Sequence, residues 1–182
     1  MKEIFFVTGN KNKLKEVRKI LGSGIKHAEF EIREIQSMML KEIVEDKARK
    51  AFEKIRKPVI VEDTALCIRA WKNFPGPLIR WVMETIGVEE MCELLGKNRV
   101  AKAEACVAYY DGKLMKIFSG MVKGKIAKNP RGRKRFDWDR AFIPKGFERT
   151  FAEMTMEEKN RISHRSKAFL RLKEYLKSSR SP

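Results

Sequence analysis

Val100-Ala101-Lys102-Ala103-Glu104-Ala105-Cys106-Val107-Ala108-Tyr109-Tyr110 runs into Asp111-Gly112, and Lys113–Val122 follows. Two strand-like runs joined by Asp-Gly read as an antiparallel hairpin. Gly124–Ala127 prolongs the second arm. Upstream the pattern is different, because strand-like and helix-like segments alternate there. Alternation followed by a hairpin predicts a mixed-sheet α/β protein.

The upstream half opens with Ile4-Phe5-Phe6-Val7, which reads as a buried strand. Thr8-Gly9-Asn10 turns the chain into a helix with Leu14, Val17, Ile20 and Leu21 on one face, and Gly22 stops it. Residues 29–36 read as extended. Val44, Ala48, Ala51, Phe52 and Ile55 recur at helical spacing over 43–56. Pro58 starts a strand at Val59-Ile60-Val61, and Leu66–Ile68 reads as another. Phe74-Pro75-Gly76-Pro77 is a rigid turn, with helices expected over 78–86 and 88–95. Downstream of the hairpin, 128–135 is a basic loop and 139–143 a short strand. Glu157–Asn160 reads as a helical turn, a terminal helix as running from 163 to 176, and Ser178–Pro182 as a frayed end.

At 182 residues and 43% hydrophobic, the chain suits one domain spanning 1–182, or one domain folded as two lobes. No apolar run approaches the ~20 residues of a membrane span. Met1-Lys2-Glu3 leads straight into the first strand without a cleavage-site pattern. Cys67, Cys92 and Cys106 are widely spaced with no CxxC pair, which fits reduced core thiols in a cytoplasmic protein. The net charge of +17 predicts attraction to polyanions, from nucleotides to RNA and DNA. Residues 131–182 hold 15 Lys/Arg against 7 Asp/Glu, so the excess is denser there without being confined to a tail.

Four segments carry candidate chemistry. Thr8-Gly9-Asn10 follows a strand and opens a helix, where backbone N–H groups, the Thr and Asn side chains and Lys13 can hold phosphate oxygens. The GxxxxGK[ST] pattern is absent, and a purely structural cap reads equally well. Glu62-Asp63-Thr64 sits at the expected end of an apolar strand, where ligands of open α/β sheets gather. Adjacent acids on a strand face opposite ways, so one is free to meet a metal while the other meets a neighbour. Carboxylates without His or Cys suit Mg²⁺ or Mn²⁺, and a solvated turn is the plainer reading. Phe136-Asp137-Trp138-Asp139 sets aromatics beside acids, as base stacking needs and as a core strand also would. Glu158-Lys159-Asn160-Arg161-Ile162-Ser163-His164-Arg165 crowds donors at a helix start, suiting a polyanion, an oxygenated heterocycle or simply solvent.

In this order and spacing the segments resemble the inosine/xanthosine triphosphate pyrophosphatase family, through nearly the whole chain. The match runs through Phe6-Val7-Thr8-Gly9-Asn10 with Lys13 and Glu16, Val61-Glu62-Asp63-Thr64, Phe74-Pro75-Gly76-Pro77, Pro130-Arg131-Gly132, Thr150-Phe151-Ala152-Glu153-Met154 and Glu158 through Arg165. The resemblance implies an elongated two-lobed mixed-sheet α/β fold, with helices on both sides and the active site in the cleft between lobes. It implies that Thr8, Asn10 and Lys13 hold phosphates. Glu34 and Asp63 meet the metal on this reading, and Asp63 also activates water. Phe136 stacks on the purine, while Trp138, Asp139, Lys159, Ser163, His164 and Arg165 read base and sugar. It implies Mg²⁺, with Mn²⁺ as the substitute, and a homodimer. One segment departs: where the family has Gly-Phe-Gly-Trp/Tyr-Asp-Pro, this chain has Arg135-Phe136-Asp137-Trp138-Asp139-Arg140. Asp137 in place of Gly narrows the base pocket if that position needs close backbone approach or positive φ.

Two functions follow as expectations. The first is hydrolysis of ITP, dITP or XTP to monophosphate and pyrophosphate by a cytoplasmic enzyme. The rival is a basic nucleic-acid-binding module on a catalytically altered nucleotidase fold, motivated by the charge and the Arg131–Arg140 cluster. Nucleic acid is compatible with the enzyme reading but not required by it.

Overall fold

The computed structural model describes residues 3–133 and 137–179. Among these, seven strands form one mixed sheet. They are β1 (Phe5–Val7), β2 (Lys26–Ala28), β3 (Val59–Ile68), β4 (Pro75–Gly76), β5 (Val100–Tyr110), β6 (Met115–Ile126) and β7 (Phe142–Pro144). The order is β2-β1-β3-β5-β6-β7, with β4 added to the far end of β3. β1 is parallel to β2 and β3, and the pairings of β3 with β4 and β5, and of β6 with β5 and β7, are antiparallel. The helices are α1 (Lys11–Leu21), α2 (Leu40–Ile55), α3 (Ile79–Thr85), α4 (Gly87–Glu93), α5 (Met156–Ile162) and α6 (His164–Ser178). None of them is long and apolar enough to cross a membrane.

Helices cover both faces of the sheet because its central strands are apolar on both. Ile60, Ala105 and Val107 pack against Phe6, Val17 of α1 and Phe169 and Leu172 of α6. Their neighbours Val59, Val61, Cys106 and Ala108 point the other way, onto Val44, Ala48 and Ala51 of α2. Further along, Leu66, Ile68, Ala101 and Ala103 join α3, α4, Trp138, Phe142 and Phe151 in another cluster. The three cysteines are free and buried.

The helix ends follow from local chemistry. Asn10 caps α1, its side chain accepting from the backbone N–H of Asn12 and Lys13, each at 3.0 Å. Gly22 ends that helix at φ 91°, a conformation that suits glycine. Thr155 and Glu158 form a capping box on α5, and Ser163 caps α6. Gly120 of β6 lies under the first turn of α6. A Cβ there would run into the His164 carbonyl oxygen and come within 2.7 Å of the Ala168 nitrogen. Only glycine lets that turn, with His164 and Arg165 in it, lie so close to the sheet.

Two expectations change. Along the sequence Glu62-Asp63-Thr64 marks the end of one strand before another, yet β3 runs unbroken through all three, in register with β5 from Val59↔Tyr110 to Ile68↔Ala101. A charged pair inside a strand reads as a break only while its partners are unknown. Here Glu62 meets Arg165 and Lys13, so its burial is compensated. Residues 137–140 form a 3₁₀ turn, and the short strand begins at Phe142 instead of 139.

Candidate active site

β1 pairs with β3 only as far as Ile60, and β4 joins β3 from Leu66 onward. Between them the edge of β3 has no strand neighbour among the described residues, and a cleft of about 510 Å³ opens there. The β1–α1 turn forms one wall with Thr8, Asn10 and Lys13. Glu34 from the irregular segment before α2 and Lys47 from α2 form a second. Arg80 and Glu84 of α3 stand at the rim, Trp138 closes one side, and Glu62 and Asp63 form the floor.

The two floor acids have opposite surroundings, as strand alternation requires. Glu62 is buried and points toward α1 and α6. Its Oε2 lies 2.8 Å from Lys13 Nζ, and its Oε1 accepts from Arg165 Nε at 2.9 Å. Burial alone would raise its pKa, but Arg165 and Lys13 overcome that and hold it down to about 2. Asp63 is half-buried on the α2 face and makes no ion pair among the described residues. Its Oδ1 accepts from the Thr64 N–H at 2.8 Å. Burial lifts its pKa above the ordinary carboxylate value, and nearby Glu34 adds to this, against the pull of Lys13 and Lys47. Lys47 pairs with Glu34. Burial disfavours its charge, yet Asp63 and Glu34 more than offset that and raise its pKa.

Behind the cleft lies an ion-pair chain of alternating sign. From Lys13 and Glu62 it continues to Arg165, whose Nη1 donates to Glu16 Oε2 at 2.5 Å. Glu16 Oε1 accepts from Lys159 Nζ at 3.0 Å, and Lys159 donates to Asp139 Oδ2 at 2.6 Å. Glu16, Asp139, Lys159 and Arg165 are all buried. Burial opposes ionisation of Glu16 and Arg165 alike, but the neighbouring charges win: Arg165 and Lys159 lower the pKa of Glu16, and Glu62 and Glu16 raise that of Arg165. Asp139 goes the other way, its pKa raised by burial despite Lys159. His164 is fully buried between Trp138, at 5.4 Å between ring centroids, and Phe151, at 6.0 Å. Burial, reinforced by Arg165 and Lys159, pushes its pKa well below the usual value, so the imidazole is neutral. Neither ring nitrogen has a hydrogen-bond partner among the described residues, and neither has Asp139 Oδ1.

The expected phosphate and metal groups therefore meet: Thr8, Asn10, Lys13, Glu34 and Asp63 share one cleft. Asn10 spends its side-chain oxygen on the helix cap, so its contribution to an anion is the backbone it orders. Of the expected base readers, Trp138 lines the cleft, whereas Asp139, Lys159, Ser163, His164 and Arg165 are buried behind it. Ser163 is engaged in capping α6. Phe136 lies outside the described residues. Lys47, Arg80, Glu84 and the ionic roles of Glu16 and Glu62 were not anticipated. For Lys47 a signal existed, since it falls three and four residues after the buried Val44 and Ile43, a charge on the core-facing stripe of α2. Glu16 interrupts the α1 stripe in the same way beside Val17 and Ile20.

The Ham1 family model matches residues 4–175. A dITP/XTP pyrophosphatase of Saccharolobus solfataricus is 43% identical over 181 residues, covering 97% of this chain and 94% of that protein. An inosine triphosphate pyrophosphatase of Schizosaccharomyces pombe is 37% identical over 187 residues, covering 100% and 98%. The solved HAM1 protein from Coxiella burnetii superposes with a TM-score of 0.85 at 27% identity, covering 98% of this chain and 100% of that one.

Proposed function

The chain belongs to the Ham1 family, and from that premise we propose that it hydrolyses the non-standard purine nucleoside triphosphates ITP, dITP and XTP to monophosphate and pyrophosphate. The observation that carries the reading is the placement of Asp63, half-buried at an open strand edge between Lys13 and Lys47 in one cleft. Lysines around a carboxylate of raised pKa suit phosphoanhydride chemistry, in which anionic oxygens need cations and a water needs a base. Asp63 orients the water and accepts its proton as the oxygen attacks the α-phosphorus. Lys13 and Lys47 take phosphate oxygens, and pyrophosphate leaves.

The donor set fits Mg²⁺, or Mn²⁺ in its place. Glu34 and Asp63 offer hard oxygen ligands to the same cleft, and Mg²⁺ is commonly held by one or two carboxylates together with substrate phosphates. Bound by these two residues, the ion would offset charge on the triphosphate.

For the base, His164 and Asp139 keep hydrogen-bonding capacity unspent. A neutral imidazole has one donor and one acceptor, and a 6-keto purine presents O6 as acceptor and N1–H as donor, the reverse of adenine. Lys159, Ser163 and Arg165 serve by holding these groups in place, Trp138 by walling the base, and Phe136 by stacking on it. The nucleic-acid-binding alternative is not favoured, since relatives spanning nearly the whole chain are named as pyrophosphatases.

A pyrophosphate-release panel with ITP, XTP, dITP, GTP and ATP in Mg²⁺ tests this. Release is expected from the first three, with ATP poor. Turnover of none of them, with salt-sensitive RNA or DNA binding instead, overturns the reading.

The proposed partner is a second copy of the chain. Ile35, Met38, Met39, Phe74 and Trp81 are exposed around the Phe74–Gly76 turn. Trp81 Nε1 donates to Gln36, and Met38 lies against Gly76, which ties residues 36–38 to the turn and to α3. Residues 34–39 and 73–86 carry one basic side chain, Arg80, in a chain with 41. On a molecule of charge +17, that is where two copies approach with least repulsion. Sedimentation at micromolar concentration is expected to give a dimer, and a monomer overturns this assignment. A cytoplasmic location goes with work on the nucleotide pool.

A further inference from the structure

The cations on the cleft wall already have partners. Lys13 lies 2.8 Å from Glu62, Arg80 Nε donates to Glu84 Oε1 at 2.7 Å, and Lys47 pairs with Glu34. All six side chains line the cleft, and Asp63 adds another carboxylate. Among the described groups that line it, three cations face four carboxylates, so the cleft is locally acidic although the chain carries +17. A triphosphate gains less from a lysine whose charge a carboxylate already offsets than from one released to it, so binding favours an exchange of partners.

The three pairs are not equally exchangeable. Lys13–Glu62 is backed by Arg165 on the other carboxylate oxygen, so Glu62 stays paired when Lys13 turns to phosphate. Arg80–Glu84 is exposed, at 72% and 48% of the side chains, and such pairs are held weakly. Lys47–Glu34 is intermediate, with 15% and 35% exposed, and among the described residues no second cation forms an ion pair with Glu34, although Arg80 is near enough to feel its charge. Releasing Lys47 there strands a carboxylate beside Asp63 and the incoming phosphates. Glu34 is also one of the two carboxylates that suit a divalent ion.

We propose that Glu34 is an exchange carboxylate: it holds Lys47 while the cleft is empty and frees it for phosphate when a divalent ion takes its place, so that metal and nucleotide bind together. This rests on the nucleotide-binding function proposed above. Glu34 acts through Lys47 as a positioning residue, and the coupling is reciprocal, since whatever factor the ion adds to nucleotide affinity the nucleotide adds to ion affinity.

The test is a double-mutant cycle on binding. The affinity for ITP in EDTA, where no divalent ion is present, is measured by calorimetry for wild type, Glu34→Gln, Lys47→Met and the double variant. Glu34→Gln is expected to tighten metal-free ITP by about tenfold, the size of one released charge-assisted contact. In the Lys47→Met background the same substitution is expected to change affinity less than about twofold. Lys47→Met keeps the aliphatic stem, and circular dichroism checks its fold. A second measurement needs no lysine variant: with the non-hydrolysable α,β-imido analogue of ITP, Mg²⁺ is expected to tighten binding to wild type far more than to Glu34→Gln. A gain that persists without Lys47 is mere removal of a negative charge and overturns the proposal. No metal-free gain in Glu34→Gln overturns it too, leaving Glu34 a metal ligand alone. If wild type releases pyrophosphate from ITP while the cycle is flat, only this inference falls. If wild type neither binds nor hydrolyses ITP, both fall.

Discussion

Asp63→Asn is expected to lower pyrophosphate release from ITP by about 10²–10⁴-fold, the span of general-base contributions, and to leave the protein folded. The backbone of Asp63 sits mid-strand opposite Cys106, so the substitution leaves the β3–β5 ladder untouched. An asparagine oxygen can still accept from the Thr64 N–H, now 2.8 Å from Asp63 Oδ1. Only the charge and the basic lone pairs are lost. Burial raises the folded pKa of Asp63 above its unfolded value, so ionising it at neutral pH works against folding. The neutral variant is therefore expected to melt at the same temperature as wild type or slightly higher. The same shift sets the pH profile: in wild type, kcat/KM falls as pH drops through the raised pKa and the base becomes protonated. That acid limb disappears from the residual activity of Asp63→Asn. Near wild-type turnover at saturating Mg²⁺ would remove Asp63 from the mechanism.

The second large effect is on stability. Arg165→Met leaves Glu62 and Glu16 buried without the guanidinium that bridges them at 2.9 and 2.5 Å. Breaking a buried pair from one side costs about 3–5 kcal/mol. For a chain of this length that is roughly 6–20 °C in Tm. The acid side of the stability profile carries a signature. The folded pKa of Glu62 is depressed from 4.5 to about 2, so its contribution is present above the unfolded pKa and is lost as pH falls from about 4.5 to 2. Without Arg165 much of that depression goes, and the gap between wild type and variant is expected to close over the same window. Melting curves at pH 7 and pH 3 read both effects. Equal Tm values at pH 7 would mean that Lys13 and Lys159 suffice to hold the two glutamates.

Much of the frame was legible along the chain because its signals are local. The Asp111-Gly112 hairpin, the Asn10 cap, the Gly22 stop and the helical stripe of α2 each depend on residues within a few positions of one another. The alternation rule also separated Glu62 from Asp63 correctly, one facing α1 and α6 and the other facing α2. The resemblance of the motifs singled out Thr8, Asn10, Lys13, Glu34 and Asp63, and these do share a cleft.

What remained hidden depends on contacts between distant segments. Arg165 meets Glu62 across 103 positions and Glu16 across 149, and Lys159 meets Glu16 across 143. A run of Lys, Ser, His and Arg looks solvated until α6 is laid against Gly120 of β6, and then the same residues are interior. Glu62-Asp63-Thr64 looks like a strand end until Arg165 and Lys13 arrive to neutralise Glu62, and then β3 continues through it. By itself the sequence determined most of the helices, the hairpin, the Asn10 and Gly22 ends of α1 and the mixed α/β class, since these are set by backbone propensity and hydrophobic period. Only the tertiary structure decided which charges are paired, which are buried and which face the cleft. The free energy of an ion depends on the dielectric and the partners around it, and packing alone supplies both.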